Sequence, residues 1–207
     1  MTDALDGLLG EIRQCRICRD APKYGKSLPH EPRPVIAASR PAGILIAGQA
    51  PGTRVHASGL PFNDPSGDRL RDWMGIDRET FYDSRRIAIV PMGFCFPGLD
   101  AKGSDLPPRR ECRETWHDRV VESLRKIRLA LVIGQYAHAY HLGGLREKSL
   151  TMTVANWKGI RDRARPYRVY ALPHPSWRNN AWLKKNPWFE RELLPELRRD
   201  VAAILKK

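Results

Sequence analysis

The chain has 207 residues, with 36 Lys and Arg against 23 Asp and Glu, giving a formal net charge of +13. A mean hydropathy of −0.50, and no apolar run near the ~20 residues that a spanning helix needs, exclude a membrane-helix protein. The length suits one domain, 1–207, with a substantial core, and so basic a surface points to a polyanionic partner, most often nucleic acid.

In chain order, Met1-Thr-Asp-Ala-Leu-Asp6 lacks the basic start and apolar stretch of a signal peptide, so a cytoplasmic location is expected. Leu5, Leu8, Leu9 and Ile12 fall at i, i+3, i+4 and i+7, which predicts an amphipathic helix over about 3–15 ending at Cys15 and Cys18. Prolines and basic residues from Asp20 to Ala42 predict an irregular connection. The uncharged run at about 43–47 reads as a strand buried on both faces. Gly48 and Pro51-Gly52 break it into a loop, and a second loop carries Phe62 and Asp64. Ser66 and Asp68 are placed to cap a helix through Arg69, Leu70, Trp73 and Met74.

Arg86–Val90 is the next strand, followed by a Pro- and Gly-rich loop from Pro91 to Arg110 that contains Cys95. Loops of that length are usually functional or mobile. Trp116, Val120, Val121, Leu124 and Ile127 mark a helix, Leu129–Ile133 a third strand, and Gly134-Gln135 the turn into a short helix with Ala137, His138 and His141. Thr151–Val154 reads as an edge strand. Arg168–Leu172 is the fourth apolar strand and runs into Pro173-His174, and a helix from about Trp188 to Leu205 closes the chain. Four apolar strands alternating with helices predict an α/β fold, with a mainly parallel sheet covered on both faces.

Three constellations carry chemistry. Cys15-x-x-Cys18 is followed 77 residues on by Cys95 and 17 further by Cys112. The count is too small and too uneven for a secreted disulfide framework. A zinc ribbon would want a second Cys-x-x-Cys, whereas thiolate-only ligation suits an iron–sulfur cluster; zinc remains the alternative. His174, in Leu172-Pro-His-Pro-Ser-Trp-Arg178, lies between two prolines that fix its backbone, although a His after a strand is often only a hydrogen-bonded loop residue. Phe62 offers a ring on which a base can stack, with ordinary core packing as the competing role, and Asp64 could merely cap the turn.

Taken together, Gly48-Gln-Ala-Pro-Gly52 and His174-Pro-Ser-Trp-Arg178 resemble the two motifs of the uracil-DNA glycosylase superfamily. Gly59-x-Pro-Phe62 through Asp64-x-Ser-Gly67 resembles the base-stacking loop of its bacterial and archaeal iron–sulfur branches, and the four cysteines match their cluster ligands. The resemblance covers nearly the whole chain. It implies a three-layer α/β/α monomer that acts on DNA, with a structural [4Fe–4S] cluster on Cys15, Cys18, Cys95 and Cys112. His174 would stabilise the departing uracil anion, Phe62 would stack on the flipped base, and Ser176 would contact a phosphate. Arg178 would enter the gap in the duplex, a role that Trp177 could share.

Two departures bear on mechanism. Gln49 and Ala50 stand where most branches carry a carboxylate or Asn, and neither can act as a base. In the branch with an Ala-Pro first motif the water-activating Asp precedes Ser-Gly in the second loop, so that role is carried over to Asp64, with Gln49 binding or orienting through its amide. Pro91 occupies the place of an Asn that reads the edge of uracil, leaving recognition to backbone groups, Gln49 or Asn63. The expected activity is monofunctional uracil excision that leaves an abasic site, since neither motif holds a lysine. A protein that binds uracil or abasic sites with little catalysis, a glycosylase for a broader range of deaminated bases, and a metal-stapled DNA-binding module without a base pocket are the rival readings.

Overall fold

A computed structural model describes residues 4–206; Met1 to Asp3, where the predicted first helix begins, and Lys207 lie outside the described residues. The elements are α1 (Ala4–Arg13), α2 (Ile17–Asp20), β1 (Ile44–Ala47), α3 (Thr53–Ser58), α4 (Pro65–Met74), α5 (Arg78–Tyr82) and β2 (Ile87–Ile89). They continue with α6 (Arg110–Cys112), a π-helical turn at Arg113–His117, α7 (Asp118–Ser123), β3 (Leu129–Ile133), α8 (Gly134–His141), α9 (Leu150–Ala155) and α10 (Trp157–Arg163). β4 (Arg168–Leu172), α11 (Asn180–Lys185), a second π turn at Phe189–Leu193 and α12 (Leu194–Leu205) complete the chain.

The four strands form one sheet in the order β2-β1-β3-β4, every neighbouring pair parallel. Alternation along the strands divides the core in two. Leu45, Ala47, Ala88, Ala130, Val132 and Ala171 face α1, α7 and α8. Ile44, Ile46, Ile87, Leu129, Leu131 and Tyr170 face α4, α9 and α12. The first face is largely alanine and admits its helices closely, while the second is bulky and meets Trp73, Trp157 and Phe189. This is the expected three-layer α/β/α arrangement. Ala37 pairs antiparallel with Ile89, and Val35 N donates to Phe94 O at 2.7 Å, so residues 35–37 cover the open edge of β2.

Three sequence expectations are corrected. Thr151–Val154 is not an edge strand but part of α9. Ser149 caps it by accepting from Met152 N at 3.1 Å, and the Thr153 hydroxyl donates back to Ser149 O at 2.8 Å. Side-chain bonds of this kind favour a helix start over a ladder. The cap of α4 is Asp64 rather than Ser66 or Asp68, with Pro65 in the first turn, where its missing N–H has no intrahelical role. The helix predicted through Ile127 ends at Ser123, leaving Leu124 and Ile127 buried in the turn that feeds β3.

Candidate active site

Because all four strands are parallel, their C-terminal ends open at one edge, where such sheets build ligand sites. The loop after β1 lies there. Met92 N donates to Gly48 O at 2.9 Å and Gly93 N to Gln49 O at 2.8 Å, so the loop after β2 is laced along it. Ala50 is half-buried against this seam, 3.4 Å from where a Cβ on Gly93 would stand. The Gln49 amide reaches toward β3, with its Nε2 only 2.8 Å from where a side chain on Gly134 would begin. Gly134 also has φ +80°, a backbone conformation that favours glycine there.

Phe62 lies against the first loop. A Cβ on Gly48 would meet its Cζ at 3.2 Å, so the ring rests on glycine backbone. The residue is half-buried and held at φ +54°, strained for a bulky side chain. Tyr82 hydroxyl donates to Phe62 O at 3.3 Å, and Phe81 meets the ring edge-on at 6.1 Å. A Cβ on Gly67 would fall 1.8 Å from Phe62 O, so this loop closes only with glycine at position 67. Asn63 is turned toward α5, its Oδ1 accepting from Arg78 Nη2 at 3.1 Å.

Asp64 is half-buried, and its Oδ1 accepts from Gly67 N at 3.0 Å, leaving the second oxygen outside the cap. His174 follows β4, with its carbonyl held by Asn179 Nδ2 at 2.7 Å. Burial lowers the His174 imidazole below its ordinary value; the Asp64 carboxylate opposes this and the Arg178 guanidinium reinforces it. At neutral pH the ring is therefore an uncharged donor lying within the field of both side chains. The approach to His174 is fixed by His138 on α8, whose Nε2 lies 3.1 Å from both Val132 O and Leu172 O, joining the ends of β3 and β4. Burial drives His138 down to about 4, so it acts as a neutral clip.

Beyond His174 the chain turns outward. Arg69 Nη1 donates to Ser176 O at 3.1 Å, while the Ser176 side chain makes no capping bond to the turn after it. Trp177 is 72% exposed, with the exposed Arg178 guanidinium 5.9 Å from its ring centroid. The structure thus brings Gln49, Ala50, Phe62, Asp64, His174 and Arg178 to one edge of the sheet. Asp105 also stands there, a residue that no motif singles out. It sits in the loop after β2, its Oδ2 3.4 Å from where a Cβ on Gly52 would be. Nothing in its local sequence marks it, because only the fold carries it to the first motif.

The cysteines gather on the flank of this edge. Cys112 donates to the Cys18 sulfur, which raises Cys112 well above the ordinary thiol range and lowers Cys18. Burial pushes Cys95 up to about 12, with Cys18 and Cys15 nearby adding to the rise. Phe94 N donates to Cys112 Sγ at 3.4 Å, and Leu28 packs with Cys18 and Cys95. Among the described residues, no group of three or more His, Cys, Asp or Glu side chains is arranged to hold a single metal ion. No described helix is long and apolar enough to cross a membrane.

A family model for the uracil DNA glycosylase superfamily matches residues 37–198, which include both motifs, the Phe62 loop and two of the four cysteines. A solved structure from Methanosarcina acetivorans, provisionally named a uracil DNA glycosylase, is 16% identical, with a TM-score of 0.48 over 79% of this chain and 94% of that one.

Proposed function

The chain belongs to the uracil DNA glycosylase superfamily, and on that premise we propose that it is a monofunctional glycosylase that flips uracil from DNA and hydrolyses its N-glycosidic bond. The observation that carries this reading is the neutral, half-buried His174 beside Asp64, at the same edge as a ring held on glycine backbone. Phe62 stacks on the extruded base. The glycosidic electron pair leaves with the base, and the imidazole N–H of His174 stabilises the anion, a contact worth roughly 10²–10³ in rate in other enzymes. Asp64 orients the water and offsets the positive charge on the sugar through the oxygen that the helix cap does not use. Gln49 fixes the base through its amide, Ser176 grips a phosphate, and Trp177 with Arg178 fills the vacated stack. The net charge of +13 favours the DNA complex.

We further propose that Cys15, Cys18, Cys95 and Cys112 hold a [4Fe–4S] cluster. Buried thiols crowded together, with Cys95 and Cys112 raised by burial and by neighbouring cysteines, form a site that favours a multivalent cation once deprotonated. When bound, the cluster ties the N-terminal helices to the loop after β2 and takes no part in bond cleavage.

The test is release of free base from oligonucleotides carrying uracil, hypoxanthine or a G·T mismatch. Uracil release is the expected result, and hypoxanthine release would widen the range. Tight binding to uracil-containing DNA without release would instead identify a damage-binding protein.

A further inference from the structure

Three features set Asp105 apart from Asp100, the other acidic residue of the long loop. It lies in a backbone bridge with Leu99, and Leu106 N donates to Gly98 O at 2.9 Å, so a local hairpin fixes its position. Its carboxylate stands against Gly52, at the start of α3, with Oδ2 at contact distance, 3.4 Å, from where a Cβ there would lie. The charged side chains that act on it are Asp64 and Arg178, the same two that act on His174. Asp105 and His174 thus share Asp64 and Arg178 as charged neighbours, although a negative charge at a mouth that receives a polyanion works against binding.

We propose that Asp105 is the proton acceptor of the hydrolysis, taking a proton from the water that Asp64 orients. This rests on the glycosylase reading above and divides its water-handling role between two residues. The C1′–N1 bond breaks with its electron pair leaving on the base, the water oxygen bonds to C1′, and one water proton passes to the Asp105 carboxylate. The environments of the two acids suit that division. Asp64 has one oxygen committed to Gly67 N. Partial desolvation raises the Asp105 carboxyl above its ordinary value, Arg178 opposes this and Asp64 adds to it. DNA closing over the exposed residue removes more water and brings phosphates near, and both effects make the carboxylate a stronger base. Acids whose surroundings differ in this way commonly divide the roles in a mechanism.

The experiment compares single-turnover base release, its pH profile and DNA affinity for wild type, Asp105→Asn and Asp64→Asn. Asp105→Asn keeps the shape of an exposed loop residue, and its melting temperature checks the fold. The expected result is a fall in release of about 10²-fold or more, in the range for a lost general base, with DNA binding as tight as or tighter than wild type. Release by wild type rises with pH as Asp105 loses its proton, and Asp105→Asn lacks that rise. Asp64→Asn is also slow but keeps the rise, shifted to lower pH because a charge that raised Asp105 is gone. Near-wild-type release by Asp105→Asn, or slow release with the pH rise intact, overturns the assignment. Wild type that releases no base overturns the glycosylase reading itself, and this inference with it.

Discussion

Asp64 is engaged twice, as the cap of α4 and as the charge beside His174, and substitutions separate the two roles. Asp64→Asn retains an oxygen that can accept from Gly67 N, now at 3.0 Å, and Asn caps helices about as well as Asp. Only the favourable charge at the helix N-terminus is lost, about 0.3–1 kcal/mol at most. Asp64→Ala removes the cap as well, for a further ~1 kcal/mol, or roughly 2–4 °C in melting temperature at this chain length. Chemistry should sort differently. Both variants lose the charge that orients water and offsets the sugar cation, so both should release uracil roughly two orders of magnitude or more slower than wild type, with binding to uracil-containing DNA almost unchanged. His174→Ala should match them, because it acts on the other half of the same bond cleavage, and Gln49→Ala should lose less. Single-turnover release and thermal melting on all four variants provide the comparison. Near-full activity in Asp64→Asn alongside a dead Gln49→Ala would place the water on the first motif and refute the reasoning. Activity that followed melting temperature would show that the cap, rather than the charge, matters.

Anaerobically purified protein should be brown with about four irons per chain, and Cys95→Ser should lose metal and soluble yield before bond cleavage suffers; colourless protein with stoichiometric zinc would reject the cluster. DNA affinity should fall steeply between low and physiological salt as counterions are released; a flat titration would show that phosphates are not the partner. His117 and His138 are each 1% exposed, and burial lowers both to about 4, below the ~6.5 of an unfolded chain. The unfolded state then binds protons that the fold refuses, so stability is complete above pH ~6.5 and is lost toward pH ~4, by up to roughly 3 kcal/mol per ring. Denaturation midpoints that stay level across that window would show that these rings are not buried in the neutral form.

The strands were legible because an uncharged run such as Ile44–Ala47 has few places to go except a sheet covered on both faces. The two motif loops were legible because Gly, Pro and His cluster where those runs stop. Thr151–Val154 was misread because β-branched threonines suggest a strand over so short a window, while the deciding signal, Ser149, lies outside it. Asp64 was read as a possible cap of its turn, but the start of α4 was assigned to Ser66 and Asp68, equally good capping residues two and four positions on. Asp105 was invisible for a different reason. Its neighbours Gly52, Asp64 and Arg178 come from three other segments, and no local pattern records that meeting.

The His138 clip bears on which partner would move in the base extrusion proposed above. Gln49 from the first motif lies over Gly134, and α8 begins at Gly134 and carries His138 to the Leu172 carbonyl, two residues before His174. The two motifs are thus joined through one short helix, and Phe62 is wedged by Gly67 and Tyr82 on the facing side. A jaw braced in this way has little freedom to close around a target, so in the proposed base extrusion the deformation would fall on the nucleic acid. Opening a base pair takes a few kcal/mol, least where the pair is mismatched or already single-stranded. On the proposed glycosylase reading, the rigidity of the protein would become a preference for weak points in the duplex, exercised before any atom of the base has been read.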